Sequence, residues 1–281
     1  MRPLNDILIF TDLDGTLLDH ETYSYKAAQG AITVLRERNA NIIPVTSKTR
    51  AEVMSLRASL ELNTPFVVEN GAAVFIPKSQ FEFNHDSLLD CDEFWCKAFG
   101  LRRKQHQELM SKLSRELQDC CMTFGMLGDK RIAEVTGLSL DQAALANQRE
   151  YSDPILWQGS DAQKSQLRKE VEGLGYRILE GGRFLHITNG YDKGKALVWL
   201  KQQYICNNEN TPFRVIALGD SDNDIDMLEA ADQAIVIKNP NKPTLMLSSD
   251  INEIRSASAG PKGWAESLSS FLDLDLGEPS L

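Results

Sequence analysis

Ile7-Leu8-Ile9-Phe10-Thr11-Asp12-Leu13-Asp14-Gly15-Thr16-Leu17-Leu18-Asp19 sets an unbroken apolar run directly against two carboxylates that lie two residues apart. Four apolar residues in succession, with no polar alternation, read as a short strand buried on both faces, which is the pattern of a parallel sheet. Alternation along an extended chain sends positions i and i+2 to the same side. Asp12 and Asp14 are therefore like charges brought close together at the end of a buried strand. Repulsion and lost hydration make such a pair costly unless a site uses it.

The same pattern recurs on either side. Residues 27–39, AAQGAITVLRERN, place Ile32, Leu35 and alanines on one helical face, and NIIPVT (41–46) is a second apolar strand. In TRAEVMSLRASLEL (49–62), Val53, Leu56 and Leu60 have helical spacing and Thr49 with Glu52 makes a capping box. PFVVENGAAVFI (65–76) predicts two more strands around a turn at Asn70-Gly71, and FRVIALGD (213–220) and QAIVIKN (233–239) resume the apolar-strand texture. Between them the composition is more mixed. RKQHQELMSKLSRELQ (103–118) reads as one polar-rich helix, and GYRILEGGRFLHITNG (175–190) as two strands around Gly181-Gly182. Trp264, Leu268 and Leu272 mark a final packed helix. The expectation is an α/β protein. Residues 1–77 and 190–281 form a doubly wound, Rossmann-like parallel-sheet core, and residues 78–189 form an inserted α+β cap.

A length of 281 residues leaves room for a large core, and 42% hydrophobic with 25% charged residues is ordinary for a globular chain. A formal net charge of −10 argues against nucleic acid or an anionic membrane surface as partner, though not against an anionic substrate in a cleft whose charge a metal reverses. Five cysteines without a C-x-x-C spacing argue for reduced thiols, not a disulfide framework or zinc site. MRPLNDILIF reaches an acidic residue before a signal-peptide apolar region forms, and no apolar run approaches the roughly 18 residues of a membrane span. A cytoplasmic protein is expected, with its oligomeric state open.

Ligands of doubly wound sheets bind beyond the carboxyl ends of the strands. Three predicted strand ends carry polar groups there: Asp12 and Asp14, Thr46, and Gly219-Asp220, the last within ALGDSDNDIDML (217–228). Acids converging from two strands are tolerable around a hard cation, and Mg²⁺ takes one or two carboxylates with waters and phosphate oxygens.

DLDGTLLD, a strand-terminal Thr46, Lys193 in YDKGKAL and the GDSDND run together resemble the four-motif signature of haloacid dehalogenase-superfamily phosphatases. PVTSKTRAE, ENGAAVF, ANQREYSDPI and GGRFLHITNG, in that order, further resemble the mannosyl-3-phosphoglycerate phosphatase family over most of the chain. The resemblance implies Asp12 as nucleophile and Asp14 as general acid/base. It implies Mg²⁺ held by Asp12, the backbone carbonyl of Asp14 and Asp220, with Asn223 and Asp224 in support. Thr46 and Lys193 would bind phosphoryl oxygens, and Lys193 would offset the charge of Asp12.

For the rest of the substrate, Lys48, Glu69, Asn70, Arg149, Arg183 and His186 are candidates. Arg183 and His186 flank Phe184 and are expected on one face of a cap strand, where an arginine suits a glycerate carboxylate. The implied substrate is a phosphorylated sugar–glycerate conjugate. Sucrose- or trehalose-phosphate phosphatases, a sugar phosphomutase and a non-catalytic sugar-phosphate sensor are the alternatives. On the residues alone, Asp-Gly is also a turn former, Ser47 or Thr49 competes with Thr46 as a helix cap, Lys195 competes with Lys193, and Arg183 equally suits a surface ion pair.

Overall fold

The computed structural model describes residues 3–81, 88–181, 184–209 and 211–275. Its centre is a five-stranded, all-parallel sheet built from β1 (Ile7–Thr11), β2 (Asn41–Pro44), β11 (Arg214–Gly219), β12 (Gln233–Lys238) and β13 (Glu253–Ala259). The spatial order is β13-β12-β11-β1-β2. The central strand shows why its sequence lacks alternation. Ile7 and Ile9 pack into one core with helices α1 (Gln29–Glu37), α2 (Arg50–Ser59) and α10 (Gly260–Leu272). Leu8 and Phe10 pack into a second core with α8 (Lys193–Asn207) and α9 (Ile225–Glu229) on the opposite face. Trp264 and Leu268 of α10 are fully buried, and the Trp264 indole N–H donates to Thr11 Oγ1 at 3.0 Å, tying the last helix to the strand that carries Asp12. The capping box expected at Thr49 and Glu52 opens α2.

A four-stranded antiparallel sheet, β3 (Phe66–Val68), β4 (Ala73–Pro77), β5 (Leu89–Cys91) and β6 (Phe94–Ala98), runs in the order β3-β4-β6-β5. It joins the parallel sheet through one bridge, Val45 to Val67. The position 77/78 at which the sequence changes texture thus falls inside this sheet, since β4 pairs with β6. A separate antiparallel sheet, in the order β7-β8-β10-β9, is made of β7 (Cys121–Thr123), β8 (Ile155–Trp157), β9 (Arg177–Gly181) and β10 (Phe184–Thr188). One face packs Ile155, Ile178, Leu185 and Ile187 against leucines of α3 (Arg103–Met110), α4 (Arg115–Asp119) and α7 (Asp161–Gly173). On the other side, Phe184 meets α5 (Phe124–Thr136) and α6 (Leu140–Asn147).

The single helix expected over 103–118 is two, α3 and α4. Glu170 of α7 captures the Ser114 N–H at 2.9 Å, so a tertiary contact replaces the intrahelical bond and Ser114 starts a new helix. The Gly181-Gly182 turn lies partly outside the described residues, but β9 and β10 pair antiparallel on either side of it. All five cysteines are free thiols. No helix among the described residues is long and apolar enough to cross a membrane.

Candidate active site

Backbone pairing assembles the site before any side chain does. The Asp12 N–H donates to Leu218 O at 2.9 Å and the Val45 N–H to Thr11 O at 2.8 Å, so the ends of β1, β11 and β2 arrive together. Asp12, Thr46 and Asp220 therefore share one rim of the sheet. Carboxylate oxygens of Asp12, Asp220 and Asp224 lie within 4.8 Å of one another, and all three residues are buried. Lys193, the first residue of α8, is fully buried and divides its ammonium between Asp12 Oδ1 and Asp224 Oδ1, each at 2.6 Å.

Burial alone would push Lys193 down, but the two adjoining carboxylates outweigh it and hold the ammonium protonated above its usual range. Burial pushes the Asp12 carboxyl well up against the pull of Lys193, and Asp224 and Asp220 push it further. Three carboxylates thus face one ammonium. The two negative charges in excess fit a divalent cation bound by oxygen donors.

The other acids divide cleanly. Asp220 is oriented by Thr16 Oγ1, which donates to Oδ1 at 3.1 Å, and by Asn239 Nδ2, which donates to Oδ2 at 2.6 Å. Gly15 packs so closely that a Cβ there would lie 2.7 Å from Asp220 Oδ2, and its φ of +80° is left-handed, so the motif requires glycine twice over. Asp224 spends both oxygens internally. Oδ1 holds Lys193, and Oδ2 accepts the N–H groups of Asp220 and Ser221 at 3.0 Å. Asn223 is exposed and donates to Asn70 Oδ1 at 3.1 Å.

Asp14 stands apart from this cluster. Its Oδ2 meets Lys48 Nζ at 2.9 Å, while Oδ1 is buried with no hydrogen-bond partner among the described residues. Lys48 also approaches Glu52 at 3.8 Å and sits over the Tyr23 ring. Thr46 is buried, and its hydroxyl accepts the Lys48 N–H at 3.1 Å, shaping the loop between the two.

Of the candidates for the remainder of a substrate, Arg149 lies beside this loop. Its Nη1 donates to Ser47 O at 3.1 Å and to Ser152 Oγ at 3.2 Å, and its Nε is buried without a partner among the described residues. His186 is half-buried. Burial first, then the Arg149 cation and His106, push its imidazole down to about 3. Glu69 is buried and fully engaged by residues 150–152. Strand β10 sends Leu185 and Ile187 into one core and leaves Phe184 and His186 on the other face. Arg183 lies outside the described residues.

Thr16 and Asn239 are site residues beyond the sequence candidates: Thr16 is legible within DLDGT, whereas Asn239 carries no local signal. Trp264 reads in sequence only as a helix-packing residue, and its bond to Thr11 emerges from the fold.

The depressed His186 sets a pH dependence. A folded value near 3 against an ordinary 6.5 contributes stability that is complete above about pH 6.5 and is lost as pH falls towards 3. Urea unfolding at pH 7 and pH 4.5 should therefore show His186→Gln losing less stability on acidification than the parent. Identical losses would mean His186 titrates normally.

The chain matches the model of the haloacid dehalogenase-like hydrolase family over residues 9–94 and 142–251. It is 35% identical over 261 residues to a glucosyl-3-phosphoglycerate/mannosyl-3-phosphoglycerate phosphatase of Methanococcoides burtonii, covering 92% of this chain and 94% of that one. A protein of the same name from Persephonella marina is 35% identical over 266 residues, covering 93% and 96%. Among solved structures, one from Thermoplasma acidophilum superposes with a TM-score of 0.63 at 19% identity, covering 95% of this chain and 99% of that one. The sucrose-phosphatase of Synechocystis, in complex with sucrose and phosphate, gives 0.56 at 16% identity, covering 96% and 98%. These two speak for the fold alone. The acid–lysine cluster at the strand ends lies within the matched residues, and the chain belongs to the haloacid dehalogenase-like hydrolases, among which it is a phosphoric monoester hydrolase.

Proposed function

We propose that this phosphatase hydrolyses mannosyl-3-phosphoglycerate or glucosyl-3-phosphoglycerate to the sugar–glycerate and phosphate, in the cytoplasm, through an aspartyl-phosphate on Asp12. The observation that carries the mechanism is the different setting of the two motif acids. Asp12 is locked by Lys193 within the acidic cluster, whereas Asp14 faces Lys48 and keeps one buried oxygen without a partner.

An Asp12 oxygen attacks phosphorus, and the P–O bond to the sugar–glycerate breaks. Asp14 gives its proton to the departing alkoxide. Asp14 then takes a proton from water as that water attacks the phosphoenzyme, which releases phosphate and restores the Asp12 carboxylate. Thr46 and Lys193 bind phosphoryl oxygens. Asp12, the Asp14 carbonyl and Asp220 would hold Mg²⁺, with Asp224 and Asn223 setting the loop that presents Asp220. A cation bound there would supply positive charge against the developing charge on the phosphoryl oxygens.

The substrate assignment rests on the two 35%-identical relatives and on Arg149, which bonds Ser47 O beside the phosphate-binding loop and whose buried Nε has no partner among the described residues. Such a guanidinium suits the glycerate carboxylate. The segment 78–189 is proposed as the cap that selects the substrate, with Arg149, His186 and Arg183 contributing from it and Lys48 and Asn70 from the core.

Phosphate release should be screened from mannosyl- and glucosyl-3-phosphoglycerate beside sucrose-, trehalose- and mannose-phosphates. The glycerate conjugates are expected to give the highest kcat/KM. Equal or better turnover of sucrose- or trehalose-phosphate would overturn the substrate. Treatment with EDTA is expected to abolish turnover, and Mg²⁺ to restore it better than Ca²⁺, whose looser coordination misplaces the reacting oxygens. Full activity of metal-free enzyme would remove Asp220 from its proposed role.

A further inference from the structure

Glu69, Asn70 and Gly71 have φ values of +51°, +61° and +93°, three consecutive residues in the left-handed region. Two of them carry a Cβ, and side chains are rarely placed there without compensation. The turn is pinned on several sides. The Glu69 N–H donates to Lys48 O at 3.0 Å and the Asn70 N–H to Thr46 O at 2.9 Å, so its backbone braces the loop between Thr46 and Lys48. A Cβ on Gly71 would lie 2.1 Å from Asp192 O, so the turn also backs directly onto the residue before Lys193. Asn70 Oδ1 accepts from Asn223.

The side chain of Glu69 points the other way, into the link between α6 and β8. Its Oε1 accepts the N–H groups of Glu150 at 2.8 Å and Tyr151 at 3.3 Å. Its Oε2 accepts the Ser152 hydroxyl and, at 3.3 Å, the Tyr151 N–H, with Arg149 Nη1 3.9 Å away. The residue is 2% exposed. A carboxylate so buried and so taken up by residues 149–152 is not placed to receive a sugar hydroxyl.

We infer that Glu69 is a positioning residue: its carboxylate clasps residues 149–152 against the phosphate-binding loop, so that Arg149 is held in register with Thr46, Lys48 and Lys193. Charge-assisted bonds to backbone N–H groups are short and directional, and losing the acceptor would strand buried donors. The inference rests on the proposed reading that Arg149 meets the glycerate end of the substrate.

Glu69→Gln tests it, because the amide keeps the volume and removes the charge and one acceptor oxygen. KM for mannosyl-3-phosphoglycerate is expected to rise at least tenfold more than KM for p-nitrophenyl phosphate, with kcat changing less than KM. Combined with Arg149→Ala, the substitution should add little to the Arg149→Ala defect, since both act through one group. Amide hydrogen exchange supplies a readout that needs no substrate. The N–H groups of Glu150 and Tyr151 should exchange at least tenfold faster, while those of Glu69 and Asn70 stay protected.

Equal rises in KM on both substrates, or unchanged exchange at 150 and 151, would overturn the inference. If the parent enzyme shows no preference for the glycerate conjugate, the substrate assignment has failed, and exchange at 150 and 151 then decides the clasp by itself. Glu69→Asp, which keeps the charge but is one methylene shorter, replaces the glutamine variant if that does not fold, with the same exchange outcomes deciding.

Discussion

Asp12→Asn is expected to bring phosphate release down to background and to form no phosphoenzyme, whereas Asp14→Asn should still become phosphorylated. The two substitutions remove one charge each from residues two apart, so a general electrostatic effect would make them alike. The geometry makes them different. Asp12 is held by Lys193 at 2.6 Å, next to Asp220 and Asp224, and is the proposed nucleophile. Asp14 lies outside that cluster, with one buried oxygen that has no partner among the described residues, and is the proposed acid/base. Losing general acid/base catalysis costs on the order of 10²–10⁴ in rate.

With p-nitrophenyl phosphate the leaving group needs little protonation, so the Asp14 variant should still phosphorylate Asp12 and then hydrolyse the intermediate slowly. Rapid quench with intact-mass measurement should show phosphoenzyme accumulating in the Asp14 variant only. Phosphorylation of the Asp12 variant would invert the assignment of nucleophile and acid/base. Lys193 retains Asp224 as a partner in the Asp12 variant, so loss of activity there need not reflect unfolding.

Lys193→Met is expected to lose turnover and to destabilise the fold, while Lys195→Met does neither to a comparable degree. Removing Lys193 leaves the Asp12 and Asp224 carboxylates buried without their cation, and breaking a buried pair in this way costs about 3–5 kcal/mol. Added Mg²⁺ should recover part of that stability, since it supplies positive charge to the same carboxylates, but not the activity. Lys195 is exposed and meets Gly190 O and Asp192, contacts worth little in water. Urea unfolding with and without Mg²⁺, beside steady-state kinetics, reads both effects. A Lys193→Met enzyme as stable as the parent in metal-free buffer would show that the ammonium is not what balances the acidic cluster.

Much of this site is legible along the chain because its parts are local. Each acid or threonine follows an apolar run that a parallel sheet must bury, so its place at a strand end follows from periodicity. The choice of Lys193 over Lys195 came from a motif resemblance. Packing explains it physically, since the first residue of α8 points inward and the third outward. Glu69 was harder to read. A Glu-Asn-Gly turn after a strand looks free to reach a ligand, and only the return of residues 149–152, some eighty positions later, reveals where its carboxylate goes.

The sequence by itself determined the doubly wound core and the strand-end acids, because strand burial is a property of a few consecutive residues; the roles of Asp12 and Asp14 are what the family resemblance implies. Tertiary structure alone decided which carboxylates are already engaged. Asp224 is satisfied by Lys193 and two N–H groups, Asp220 is aimed by Thr16 and Asn239, and Glu69 is taken up by residues 150–152. A hydrogen-bond donor from a distant part of the chain leaves no periodic trace, so the engagement of a buried carboxylate is settled only when the chain closes around it.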